Sequence, residues 1–119
     1  MKDFRTLQVW KKSHLLTIDI YLITQELPKS EIYGLTSQIR RAVSSVPTNI
    51  AEGCGRGSDL DFARFIQIAM GSASESLYLL ILLSDLKYID EEKSQNLIER
   101  VNEIMKMLSS LLKILKNKV

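Results

Sequence analysis

The sequence predicts an all-α fold, an antiparallel up-down-up-down four-helix bundle formed as a single domain over residues 1–119. Three observations predict it. The chain holds only two prolines and five glycines, and three of the glycines fall at positions 53, 55 and 57, so the remainder is almost free of helix breakers. Four long segments repeat apolar residues at steps of three and four, the spacing of one helical face. The stretches between them are short, and short connections set consecutive helices antiparallel.

The first helix is expected over residues 7–26, with Leu7, Trp10, His14 and Tyr21 on one inward stripe and Leu15, Ile18 and Leu22 beside it. Pro28 ends it, because the proline ring disfavours helical geometry at Leu27. Gly34 bounds the connector to the second helix, residues 35–52, which steps through Leu35, Ile39, Ala42, Val46, Asn49 and Gly53. Pro47 lies inside it, removes one N–H and crowds the Val43 carbonyl, so a kink is expected there. Gly53 suits the left-handed position that closes many helices.

The third helix, residues 59–87, starts after Ser58, with Asp61 three residues on in the manner of a capping box. Its inner face is Phe62, Phe65, Ile66, Ala69, Ala73, Ser76 and Leu80. The fourth, residues 91–117, alternates steps of four and three through Leu97, Val101, Ile104, Leu108, Leu111 and Leu115, with Ile98, Met105, Leu112 and Val119 in a flanking row. Asp90, Glu91 and Glu92 stand at its start and Lys113, Lys116 and Lys118 at its end, both matched to the helix dipole.

One segment exceeds what a lone bundle needs. Leu77 to Leu83 is apolar around the whole helix, whereas an isolated bundle keeps one face of each helix wet. A loop or a partner subunit must cover the outer side, and the partner subunit is the favoured cover, which makes Leu77, Tyr78, Leu79, Ile81 and Leu82 candidates for a homo-oligomer interface.

Composition excludes several functions. Sixteen Lys and Arg against fourteen Asp and Glu leave a net charge of +2, without the basic excess of a strongly electrostatic nucleic-acid binder. One histidine, His14, and one cysteine, Cys54, cannot build a zinc cage, an iron–sulfur site or an internal disulfide, so no metal and no cofactor is expected. A di-iron centre, the enzyme site that this fold suggests first, needs two Glu-x-x-His pairs, and Lys11 stands three residues before the single histidine. The stretch from Met1 to Trp10 lacks the pattern of a signal peptide, and the longest apolar run is seven residues; a cytoplasmic protein with no membrane partner is expected.

Four groups of residues invite a functional reading. Gly53-Cys54-Gly55-Arg56-Gly57-Ser58 resembles a phosphate cradle, but it follows a helix rather than a strand, which favours a tight helix–helix turn. Arg41, Ser45, Asn49 and Glu52 form a polar stripe that Ser72 and Glu75 could face across a close approach at Gly71. That set is expected to be a buried polar network, with a ligand or catalytic cluster of Arg41, Glu52 and Glu75 as the alternative. A Cys54–His14 nucleophilic pair lacks an orienting third group. Arg40, Arg41, Arg56, Lys113 and Lys116 are candidates for nucleic-acid contact if an oligomer gathers them; ordinary solvated charge is the competing reading.

Three stretches carry a family resemblance: Leu7-Gln8-Val9-Trp10, the run Tyr33 to Ala42, and Pro47-Thr48-Asn49-Ile50-Ala51-Glu52-Gly53-Cys54-Gly55-Arg56, with Phe62, Phe65, Ala69, Gly71-Ser72 and Glu75 beyond them. They resemble the bacterial four-helix-bundle proteins encoded by intervening sequences of large-subunit ribosomal RNA genes. More distantly the chain resembles the accessory proteins of diversity-generating retroelements, basic pentamers that associate with a reverse transcriptase and nucleic acid. The resemblance implies a ring-like homopentamer without established enzymatic activity, acting as a binding or scaffold module for RNA or an RNA-associated protein. The net charge of +2 departs from the basic character of the retroelement proteins.

Overall fold

The computed structural model describes residues 3–118. Four helices fill it: α1 (Gln8–Thr24), α2 (Ser37–Cys54), α3 (Asp59–Asp85) and α4 (Glu91–Asn117), preceded by a single 3-10 turn, Phe4–Thr6. The body measures 45 × 22 × 20 Å. Helix α2 packs on α1 and α3, and α4 packs on α3 and α1, so α1 and α3 occupy opposite corners of the bundle. Ile20, Ile39, Ile50, Ile66, Leu80, Leu83 and Leu108 are shut off from solvent between them. Each such side chain contributes about 1.5–3 kcal/mol relative to exposure. Val119, the last residue of the expected flanking row, and Met1 and Lys2 of the N-terminal stretch lie outside the described residues.

Helix α1 turns a different face inward from the one its apolar spacing suggests. Val9, Ser13, Leu16, Ile20 and Thr24 are buried, whereas His14, Leu15, Ile18, Tyr21 and Leu22 are exposed and Leu7 and Trp10 only partly covered. Two hydroxyls make that face possible. Ser13 Oγ donates to the Trp10 carbonyl at 3.0 Å and Thr24 Oγ1 to the Ile20 carbonyl at 2.7 Å, so both enter the core with their polar atoms satisfied. His14 lies flat against Trp10 at the surface, with ring centroids 4.8 Å apart.

Between α1 and α2 the chain makes a 3-10 turn, Lys29–Glu31, and then a wide turn over Ile32–Thr36 in which Gly34 leaves helical geometry. The second helix therefore starts at Ser37, two residues later than expected. It runs without interruption through Pro47 to Cys54. The Val43 carbonyl, which Pro47 deprives of a backbone donor, lies 3.3 Å from Thr17 Oγ1 of α1; that hydroxyl also donates to the Ser13 carbonyl at 2.8 Å.

Gly53 sits inside α2 rather than beyond its end, and Gly57, with φ +89°, is the glycine in the left-handed region. A Cβ at Gly53 would come within 2.6 Å of Phe65 Cβ and 3.0 Å of Phe62 Cδ1, so this glycine lets α2 and α3 touch. Ser58 then caps α3, its Oγ accepting from the Asp61 amide at 3.1 Å.

Helix α3 is long and apolar enough to cross a membrane by length and composition, yet here Ala63, Ile66, Ala69, Ala73, Ser76, Leu79, Leu80 and Leu83 line the core against its neighbours. The apolar run splits accordingly. Leu79, Leu80 and Leu83 are buried, Leu77 and Leu82 half-buried, and Tyr78 and Ile81 exposed by 59% and 41%. Leu79, expected at an oligomer interface, instead belongs to the chain's own core at 2% exposure.

The helix closes on Lys87, which adopts φ 65° while the Tyr88 amide reaches the Leu83 carbonyl and the Lys87 amide the Ser84 carbonyl, each at 3.0 Å. The seam of α4 is Ser94, Leu97, Val101, Ile104, Leu108 and Leu115, with Leu111 half-buried.

Candidate interaction surfaces

The polar residues expected to form one network divide in two. Ser45, Asn49 and Ser72 meet between α2 and α3: Asn49 Nδ2 donates to the Ser45 carbonyl and to Ser45 Oγ at 2.8 Å each, and the Ser72 and Ser45 hydroxyls are 2.9 Å apart. Ser76 Oγ extends the ladder to the Ser72 carbonyl at 2.8 Å. These groups satisfy one another at a half-buried helix contact, where an unpaired hydroxyl or amide would cost about 1–3 kcal/mol.

Arg41, Glu52 and Glu75 stay outside the ladder. All three are exposed. The Arg41 guanidinium donates to Ser37 Oγ within its own helix, Glu75 accepts from Gln38 Nε2 at 3.5 Å, and Glu52 has no side-chain hydrogen bond or ion pair among the described residues. Eleven residues separate Arg41 from Glu52, about 16 Å along the helix axis at 1.5 Å per residue. Three charges so placed do not converge on one substrate atom. Gly71, expected to allow close approach, is exposed, and a Cβ at that position would meet nothing within 4 Å.

The basic candidates also divide. Arg40 is tied down: its Nε donates to Thr24 Oγ1 at 3.0 Å, its Nη2 to the Tyr21 carbonyl at 3.1 Å, and its guanidinium lies 4.8 Å from the Tyr21 ring centroid. Its role in this chain is to hold the end of α1 against α2. Arg41 stands beside it, toward the end of the bundle where α2 begins. Arg56, Lys113 and Lys116 lie at the far end, where the α2–α3 turn meets the last turns of α4. There Arg56 covers the Phe65 ring at 5.2 Å, and Lys118 shares an apolar hollow of about 470 Å³ with Leu7, Cys54, Phe62, Leu111 and Leu115.

Charge is therefore segregated along the bundle. Lys106, Lys113, Lys116, Lys118 and Arg56 occupy one half with no ion pair among the described residues, although Asp59 and Asp61 open α3 nearby. Asp85, Asp90, Glu91, Glu92 and Glu99 gather in the other, around the α3–α4 turn, where they outnumber Lys87 and Lys93 and stand at the same end as Arg40 and Arg41. A net charge of +2 conceals that separation.

Exposed apolar side chains complete the surface and concentrate on two helices, with Ile114 of α4 exposed as well. On α1 they are Leu15, Ile18 and Leu22, exposed by 55%, 42% and 56%; on α3 they include Ile68, Tyr78 and Ile81. Apolar spacing alone places the α1 stripe at the flank of the core, and so conceals it as a surface. The signal for it is nevertheless in the sequence: α1 carries apolar residues on two sides, more than one buried face requires. Among the described residues no three His, Cys, Asp or Glu side chains are grouped to hold a metal ion.

Comparison with known proteins agrees with this architecture. No curated protein matches the sequence. A solved structure that superposes well is the 1.70 Å crystal structure of a protein with unknown function from the S23 ribosomal protein family of Bacteroides thetaiotaomicron. It is 30% identical, with a TM-score of 0.79 over 88% of this chain and 98% of the other. The family model for the 23S rRNA-intervening sequence proteins matches residues 5–110, nearly the whole bundle, and the chain belongs to that family.

Proposed function

We propose that this protein is a non-enzymatic, homo-oligomeric bundle, a pentamer, that acts in the cytoplasm as a binding or scaffold module for RNA or an RNA-associated protein. The observation that carries the reading is the basic end formed by Arg56, Lys113, Lys116 and Lys118 opposite an acidic one. Parallel copies in a ring would gather these side chains on one rim, where phosphate contacts act together and release counterions. The distance of Glu52 from Arg41, about 16 Å along the helix, and the solvent exposure of all three side chains speak against the alternative of an enzyme or small-ligand binder built on Arg41, Glu52 and Glu75.

The test is a filter-binding titration of the purified protein with a large-subunit ribosomal RNA fragment at several salt concentrations. Binding should weaken steeply with salt, and Lys113→Glu with Lys116→Glu should lower both affinity and salt slope, by about one unit of slope per lost phosphate contact. Equal affinity for wild type and variant, or no binding at low salt, would remove RNA as the partner.

A further inference from the structure

The hollow at the basic end is larger than a packing gap. Phe62, Leu111, Ile114 and Leu115 wall it, and its volume of about 470 Å³ is that of a small-ligand pocket. Two of its residues carry chemistry that the fold does not use. Phe62 is only partly buried, and its ring makes no aromatic or cation contact among the described residues. Asp59 stands at the rim, exposed and without a hydrogen bond or ion pair among the described residues, whereas Asp61 lies 3.7 Å from Arg64. Lys118 shares the rim, with Arg56, Lys113 and Lys116 at the same end of the bundle. A Cβ on Gly57, in the adjoining turn, would meet nothing within 4 Å, so the mouth is open on that side.

An apolar cavity with an aromatic wall, a carboxylate at its rim and cations around it suits a flat group with hydrogen-bond donors on its edge and phosphates beside it. A simple anionic amphiphile would satisfy Lys118 but set its own charge against Asp59. We infer that the hollow takes one unpaired guanine of single-stranded RNA, its face against Phe62, its N1–H and N2–H donating to the Asp59 carboxylate, and its flanking phosphates on Lys118 and the basic side chains nearby. Guanine is selected because it alone among the four bases presents two adjacent donors on its pairing edge, the pattern that a carboxylate accepts with both oxygens. Adenine and cytosine set a donor beside an acceptor there, and uracil sets its donor between two acceptors, so each turns a lone pair toward the carboxylate. A base in a duplex must first leave its stack and its partner, which costs free energy that an unpaired base does not spend. This inference rests on the RNA reading above and adds the form of RNA and the base that is read.

The test measures binding of the full chain, at low salt, to a uridine-rich single strand with one central guanosine. The same strand with an abasic site in place of the guanosine, and the guanosine strand annealed to its complement, are the comparisons. The guanosine strand should bind about tenfold more tightly than the abasic strand, the scale of one stacked base, and more tightly than the duplex. Asp59→Asn, at an exposed position that leaves the Ser58 cap in place, should shrink the preference for guanosine. Cys54 also lines the hollow, so the guanosine strand should slow alkylation of its thiol by iodoacetamide and the abasic strand should not. Equal affinity for the guanosine and abasic strands, or tighter binding of the duplex, would overturn the inference and leave RNA held by the basic surface alone. A guanosine preference that neither protects Cys54 nor responds to Asp59→Asn would overturn it too, because the base would then lie elsewhere. No binding of any strand would defeat the RNA reading itself.

Discussion

Gly53 of α2 and Phe65 of α3 lie so close that a Cβ on the glycine would stand 2.6 Å from the Cβ of the phenylalanine. The contact joins the two helices with the most extensive mutual packing, just before the turn that connects them. Gly53→Ala gains about 1 kcal/mol of helix propensity. Forced separation of the helices costs about 1–3 kcal/mol. The expected net effect is a loss of up to about 2 kcal/mol, read as a lower urea midpoint.

Arg40 and Arg41 are adjacent in sequence and differ in role. Arg40→Ala removes two hydrogen bonds to α1 and the contact with the Tyr21 ring, and should destabilise the fold by about 1–2 kcal/mol. Arg41→Ala removes a bond to Ser37 on the same exposed helix face and should stay within about 0.5 kcal/mol of wild type. Urea denaturation of the two variants side by side checks the difference.

Tyr88 Oη donates to Glu31 Oε2 at 3.1 Å, and this hydrogen bond, reinforced by desolvation and the carboxylate charge, holds the phenol above its usual pKa of 10.0. The folded chain keeps that proton more tightly than the unfolded chain does. Its contribution to stability is therefore complete below pH 10.0 and is lost as pH rises through the raised value. Tyr88→Phe should be less stable than wild type at neutral pH, and the gap should narrow in alkali. Urea midpoints of both proteins at neutral pH and above the tyrosine range measure this.

Lys87 ends α3 in the left-handed region with φ 65°, a conformation that costs an L-residue about 1–2 kcal/mol. Glycine adopts it freely but loses about 0.5–1 kcal/mol more backbone entropy on folding. Lys87→Gly should therefore stabilise the protein by about 0.5–1 kcal/mol, seen as a higher melting temperature with unchanged helicity.

Helix number, connections and most ends were legible because they depend on local chemistry. Ser58 caps α3 through its own side chain, and the apolar series from Leu97 to Leu108 has only one face to bury. The candidate site was legible in composition and not in arrangement. Ser45, Asn49 and Ser72 come together because Ser45 and Ser72 face each other between α2 and α3. Arg41, Glu52 and Glu75 share the same stretch of sequence but have long side chains that reach solvent, and hydration outweighs any gain from convergence.

An all-α chain of four helices, the capped start of α3, the single seam of α4 and the family can all be read from the amino acids, since each rests on spacing or on groups a few residues apart. Which side of α1 faces the core, and how the charges are distributed, emerged from the packing of the four helices. A helix with apolar residues on two sides has no unique inward face by pattern alone. The choice went to the side where Ser13 and Thr24 satisfy their hydroxyls on backbone carbonyls and fit against α2, leaving Leu15, Ile18 and Leu22 for another surface. Net charge is a sum without position, and antiparallel packing separated its +2 into a basic and an acidic end.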